Sequence, residues 1–156
     1  MIIGNKDKFG IEIFSKQHDY NVGIIQLWIN NTCIGEKEET YIKPVLLALK
    51  RINNLSSYQL LDITVNDIDK VFNHILSNEN LYTQTLLGFG ETFDEYILRP
   101  YIHGSDVVFL WTFLPAESQI RKKKILKVEF GIVSSEYYFK ILNECLKTIY
   151  PNLRLG

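Results

Sequence analysis

Three carboxylates fall within five residues, at Glu91, Asp94 and Glu95. Neighbouring carboxylates can act as a general acid and base when their surroundings separate their pKa values, and a group of them can hold a divalent cation. The segment enters a predicted strand, in which Glu91 and Glu95 point to one face and Asp94 to the other. A metal site would need a bend there, so the spacing favours an acidic edge that faces solvent or a partner.

A thiol nucleophile would need a cysteine and a histidine base that meet in space rather than in sequence. Cys145 falls on the apolar stripe of a predicted helix, and Cys33 falls in a predicted strand. In such positions a free cysteine behaves as a small hydrophobic residue. We therefore predict no catalytic residue. The alternative is a small enzyme with a scattered site, in which Cys145 or a histidine acts beside Asp94 or Glu95.

The three histidines, His18, His74 and His103, are isolated from one another. The sequence holds no His-x-x-x-His pair and no Cys-x-x-Cys pair, which are the strong zinc signatures. We therefore expect no metal site and no cofactor, and surface or helix-flank positions for these side chains.

Two segments bear on phosphate binding. The glycines of Gly88-Phe89-Gly90 lack the third glycine of a dinucleotide fingerprint, so a turn is the better interpretation. The basic run at residues 121–124, with Lys127 after it, has no interleaved aromatic residue, and the isoelectric point is only about 6.3. We predict a solvated loop and no nucleic-acid partner. A ligand-binding or nucleic-acid-binding module that uses this loop is a further alternative.

The composition describes one ordinary globular domain over residues 1–156, with 17 basic and 18 acidic side chains and 46% hydrophobic residues. The amino-terminal residues lack the basic region and the apolar run of an export signal. The longest apolar stretch, residues 107–114, is far shorter than the roughly 20 residues of a membrane-spanning helix. We therefore expect a cytoplasmic protein that makes no membrane contact and keeps its thiols reduced.

The hydrophobic periodicity predicts the order βββ-αα-βββ-α. The predicted strands are residues 9–13, 22–29, 32–34, 93–102, 107–113 and 125–133, with a hairpin turn at Asn30-Asn31. The predicted helices begin at Pro44 in a first turn, at a Thr64 N-cap, and at Ser134 or Ser135, the last one ending near Pro151. Runs of strands and of helices indicate an α+β fold, with a largely antiparallel sheet of five to six strands and about three helices packed on it.

Four segments carry a family resemblance: residues 3–12 (IGNKDKFGIE), residues 28–30 with Ile34-Gly35, residues 90–96 (GETFDEY), and Trp111. Together they span about three quarters of the chain, and they resemble immunity protein family 42 of bacterial polymorphic toxin systems. The resemblance implies a small, non-enzymatic cytoplasmic protein that binds and neutralises a cognate toxin domain.

Many such toxins are nucleases, and a nuclease cleft is positively charged. Acidic residues on this chain could enter such a cleft, and complementary potential would raise the association rate. We therefore predict a partner-binding surface that we call the acidic edge: Glu36, Glu38, Glu39, Glu91, Asp94 and Glu95.

Overall fold

The structure is a computed structural model that describes residues 1–16, 20–56, 59–60, 67–87, 93–113 and 127–152. Within these ranges the chain forms eight strands and four helices. The strands are β1 (Ile2–Gly4), β2 (Phe9–Phe14), β3 (Val22–Ile29), β4 (Thr32–Ile34), β5 (Thr40–Tyr41), β6 (Tyr96–His103), β7 (Asp106–Phe113) and β8 (Glu129–Ser134). The helices are α1 (Ile42–Lys50), α2 (Ile68–Ser77), α3 (Glu79–Thr85) and α4 (Ser135–Ile149).

The first sheet joins β1, β2, β3 and β4 in sequence order, with every pair antiparallel, and β5 pairs with the beginning of β3. The predicted turn between β3 and β4 is confirmed. Asn30 and Asn31 both have positive φ angles, 46° and 70°, which a tight hairpin turn requires and which asparagine tolerates.

The second sheet joins β6, β7 and β8, also antiparallel. The α+β class and the antiparallel pairing are therefore confirmed, but the predicted single sheet is two sheets, one of five strands and one of three. The predicted pattern also lacked three short elements: β1 with three residues, β5 with two and α3 with seven. Elements this short show too few turns or alternations for their periodicity to be recognised.

Both sheets contribute to one hydrophobic core together with α1 and α4. Phe9 of β2 stacks on Phe109 of β7 with 6.0 Å between ring centroids, and Tyr138 of α4 contacts both rings at 4.8 and 5.8 Å. The buried Tyr138 hydroxyl donates a 2.8 Å hydrogen bond to the Leu49 carbonyl at the end of α1. This aromatic group ties both sheets to both helices.

Helices α2 and α3 pack on the other face of the second sheet. Their buried residues, including Phe72, Ile75 and Leu81, form a second apolar cluster with Tyr101 of β6 and Leu110 of β7. The N-cap predicted at Thr64 lies outside the described residues, and α2 begins after Asp67. The helix predicted from Ser134 or Ser135 is confirmed as α4, where the Ser134 side chain accepts a hydrogen bond from the Tyr137 backbone amide.

Candidate functional site

The acidic segment at residues 36–39 interrupts the edge of the first sheet. In β4, Ile34 pairs with Leu27, and continuing that register would place residue 38 opposite Gly23. Thr40 occupies that position instead, so the edge carries two extra residues. The extra length pushes the segment between β4 and β5 out of the sheet, where Lys37, Glu38 and Glu39 are exposed.

The break in the sheet edge is held by its own hydrogen bond. Gly35 has a φ of +115°, a conformation that glycine adopts without strain. A Cβ at this position would also approach the Ile25 carbonyl and the Phe93 ring to 3.1 Å. The buried Gln26 side chain donates a 2.9 Å hydrogen bond to the Gly35 carbonyl. The start of the acidic segment is therefore fixed to the sheet.

The structure brings two parts of the acidic edge together. The Glu36 and Glu95 carboxyls are close neighbours, although they are 59 positions apart in the chain. Partial burial, the charges of Glu95 and Glu38, and the hydrogen bond to Glu95 all raise the pKa of Glu36. We call Glu36, Glu38 and Glu95 the acidic cluster.

Tyr96 lies beside the acidic cluster at the start of β6. Burial and the nearby Glu36 carboxylate raise the pKa of the Tyr96 hydroxyl, and a backbone hydrogen bond with Gly35 partly offsets this effect. Its ring also meets the exposed Phe113 edge to face, with 5.1 Å between centroids. Tyr96 thus links the break in the first sheet to the second sheet and places Glu95 next to Glu36.

The predicted acidic edge has three further members, Glu39, Asp94 and Glu91. Glu39 forms a 2.9 Å ion pair with Lys16, and both side chains are largely exposed. Asp94 is exposed in the turn before β6. Glu91 lies outside the described residues, as do His18, Gly88-Phe89-Gly90 and the basic run at 121–124.

The side chains weighed for catalysis have structural partners. Cys145 is fully buried in the core, and burial raises the pKa of its thiol to about 12. His74 is hydrogen-bonded through Nε2 to the Gln59 carbonyl at 3.1 Å, and His103 through Nδ1 to the Leu55 carbonyl at 3.2 Å. Within the described ranges no group of three histidine, cysteine or acidic side chains is arranged to hold a metal ion.

The outer face of the first sheet carries exposed apolar residues that are not among the predicted site residues. Ile2, Phe14, Val22 and Tyr41 are all large, apolar and exposed on this face. The available signal was the apolar side chains at even positions of β3, since a strand with one buried face has polar residues at every second position.

No helix of the described part is long and apolar enough to cross a bilayer.

Comparisons with known proteins point to one family and one fold. The family model described as Immunity protein 42 matches residues 1–148. A crystal structure of CdiI from Burkholderia dolosa is similar, with a TM-score of 0.64 and 11% sequence identity over 95% of this chain and 99% of that chain. At this identity the likeness shows a shared fold. No curated protein matches the chain in sequence.

Proposed function

Because this chain belongs to the Immunity protein 42 family, we propose that it binds a cognate bacterial toxin domain and neutralises it without chemistry of its own. The family match over residues 1–148 is the observation that carries the proposal, and it agrees with the resemblance found in the sequence. The fold shared with a CdiI supports it. We place this encounter in the cytoplasm of the producing cell and assign it to one domain, residues 1–156.

The acidic edge is the surface we assign to the toxin's charged groups. The charges of Glu95 and Glu38 act on Glu36, and together with burial they raise its pKa. Cationic side chains of a partner would relieve that repulsion, so the acidic cluster favours a basic protein surface. A steering field of this kind acts mainly on the association rate and weakens as salt is added.

The first experiment is co-expression with the toxin domain encoded immediately upstream of this chain. Scoring cell survival and co-purification tests the proposal directly. We expect survival together with a stable complex. An active toxin that still kills the cells, with no complex recovered, would overturn the immunity function.

A second experiment tests the acidic edge. We expect the double variant Glu36→Lys and Glu95→Lys to lower the association rate by about tenfold at low salt, with a flatter salt dependence than the wild type. A matched control is Glu136→Lys and Glu144→Lys on α4, which makes the same change in net charge on exposed positions of another element. Equal effects of the two double variants would show that net charge, rather than this surface, governs association.

A further inference from the structure

The outer face of the first sheet leaves a row of apolar side chains in solvent. The exposed fractions are 42% for Ile2, 48% for Phe14, 41% for Val22 and 69% for Tyr41. Ile24, which is half-buried, lies between them on β3. We call these five residues the apolar stripe.

The strand register makes the apolar stripe continuous. Phe14 pairs directly with Ile24, and Val22 pairs directly with Tyr41. Ile2 pairs with Glu12 and is therefore a diagonal neighbour of Phe14, while Phe14 is a diagonal neighbour of Val22. Direct and diagonal neighbours on one face have Cβ atoms roughly 4.5 to 8 Å apart, within reach of large side chains. The stripe thus crosses β1, β2, β3 and β5 without a gap.

The other end of the same face is occupied by contacts within the chain. Trp28 donates a 2.7 Å hydrogen bond from Nε1 to Glu12 Oε2, which also accepts a 3.0 Å bond from Lys6 Nζ. The Lys6 ammonium lies 4.0 Å from the centroid of the Trp28 ring and covers it. The Gln26 side chain is hydrogen-bonded to the Gly35 carbonyl. Exposure of large apolar residues is therefore confined to the end of the face that carries the stripe.

The size of the stripe argues against a second copy as its sole occupant. With aromatic side chains of roughly 150–250 Å² each, the exposed fractions give a stripe of about 300–400 Å². A stable specific interface takes about 800 Å² from each partner. Two copies that met through the stripe alone would bury no more than a crystal-packing contact does, so its occupant must also cover a neighbouring surface.

The charges around the stripe indicate which neighbouring surface that is. The Lys16–Glu39 and Lys6–Glu12 pairs at its borders are neutral as pairs. Glu39 directly precedes Thr40, which pairs with Gly23, so the acidic segment ends beside Ile24 of the stripe. Toward its other end lies Glu36, whose carboxyl is close enough to Glu95 for the two negative charges to repel each other. An occupant that extends in this direction must bring cationic side chains.

We propose that the apolar stripe is the central contact of the toxin interface and that the toxin presents an apolar patch flanked on one side by lysine or arginine. This inference rests on the proposed immunity function. The stripe and its surroundings have the composition of a protein interface, with aromatic and aliphatic residues at the centre and charged residues at the rim. The stripe then supplies affinity through slow dissociation, and the acidic cluster supplies steering.

The test uses the upstream-encoded toxin domain and two matched phenylalanine variants of the whole chain. Phe14→Ser removes a stripe residue, while Phe130→Ser removes a phenylalanine of the second sheet that is 42% exposed against 48% for Phe14. We expect Phe14→Ser to raise Kd at least tenfold, mostly through faster dissociation and at every salt concentration. Phe130→Ser should change Kd less than twofold.

Tyr41→Ser keeps the proposal testable if Phe14→Ser fails to fold, because a side chain that is 69% exposed contributes little to the core. It should also raise Kd at least tenfold. If the wild type binds the toxin and both stripe variants bind equally well, the stripe is not the interface, although the immunity function stands. If the wild type itself neither binds nor protects, both proposals fail.

Sedimentation of the free chain at micromolar concentration gives the remaining outcome. We expect a monomer in the wild type and in Phe14→Ser. A dimer that Phe14→Ser dissociates would assign the stripe to a second copy and overturn the proposal.

Discussion

The side-chain amide of Asn30 holds the backbone of Ile132, which is 102 residues away in the chain. Asn30 Oδ1 accepts a 3.0 Å hydrogen bond from the Ile132 amide, and Asn30 Nδ2 donates a 3.4 Å bond to the Ile132 carbonyl. Asn30 is at the tip of the β3–β4 hairpin, and Ile132 is in β8, the edge strand of the second sheet. One turn residue therefore shapes the hairpin and attaches it to the other sheet.

Replacing Asn30 by glycine should separate these two roles. Glycine adopts the positive φ of the turn freely, so Asn30→Gly removes only the two hydrogen bonds to Ile132. We expect a loss of about 1 kcal/mol in the free energy of unfolding, measured by urea denaturation, because both bonds are exposed to solvent. Asn31→Gly in the same turn is the control and should change stability by less than half of that. Equal losses would mean that the bridge contributes nothing.

The Glu12 carboxylate should make stability depend on acid. Burial raises its pKa, but the hydrogen bonds from Lys6 and Trp28 and the Lys6 charge outweigh burial, so the net pKa is lowered from 4.5. A lowered pKa gives stability that is present above the unfolded pKa and is lost as pH falls through the folded pKa. We expect Glu12→Gln to cost about 1.5 kcal/mol at pH 7 and much less at pH 3. A cost that does not depend on pH in urea denaturation would contradict this.

Glu36 should behave in the opposite way. Its pKa is raised from 4.5 by burial and by Glu95 and Glu38, so the folded state binds its proton more tightly than the unfolded state does. Stability from this group is fully present below pH 4.5 and falls as pH rises through the folded pKa. We expect Glu36→Gln to raise the melting temperature at pH 7 by a few degrees and to leave it nearly unchanged at pH 4.

The Glu36→Gln substitution should also weaken the toxin complex, because it removes a negative charge that the partner would neutralise. Measuring Kd and melting temperature together makes the comparison decisive for this residue. If Glu36→Gln lowers the melting temperature at pH 7, the carboxylate is a stabilising group, and the account of self-repulsion is wrong.

The two cysteines offer a test between binding and thiol chemistry. Burial raises the pKa of Cys145 to about 12, and burial and Glu12 raise the pKa of the half-buried Cys33. We expect iodoacetamide at pH 8 to modify Cys33 slowly and Cys145 only after unfolding. Cys145→Ala should keep protection against the toxin at the wild-type level. Loss of protection by a folded Cys145→Ala variant would favour the scattered enzyme site instead.

Local patterns predicted the elements that local interactions form. Three such features are the Asn30-Asn31 turn, the start of α1 near Pro44 and the apolar face of α4. Each follows from residues that are close together in the chain. The second sheet was predicted strand by strand, and β6 and β8 start at residues 96 and 129, three or four positions later than expected. Strand ends depend on where a partner strand stops, which no local pattern contains.

Residue types along the sequence identify the acidic edge, but they do not show which of its carboxylates meet and which pair with a lysine. The sequence groups six carboxylates by charge alone. In the structure Glu36 and Glu95 meet, Glu39 pairs with Lys16, and Asp94 is exposed in the turn before β6. A carboxylate repels a second carboxylate or forms an ion pair with a lysine according to which of them lies within a few ångströms. The break in the first sheet and the position of Tyr96 set those distances.

The sequence by itself determined the α+β class, the antiparallel hairpin and the family of this protein, because these depend on periodicity, turn chemistry and motif spacing along the chain. The tertiary structure decided that the strands divide into two sheets around one core and that the even positions of β2 and β3 face outward. A period of two separates the faces of a strand, but only the packing of distant elements decides which face is covered. For this reason the apolar stripe became visible only in the folded chain.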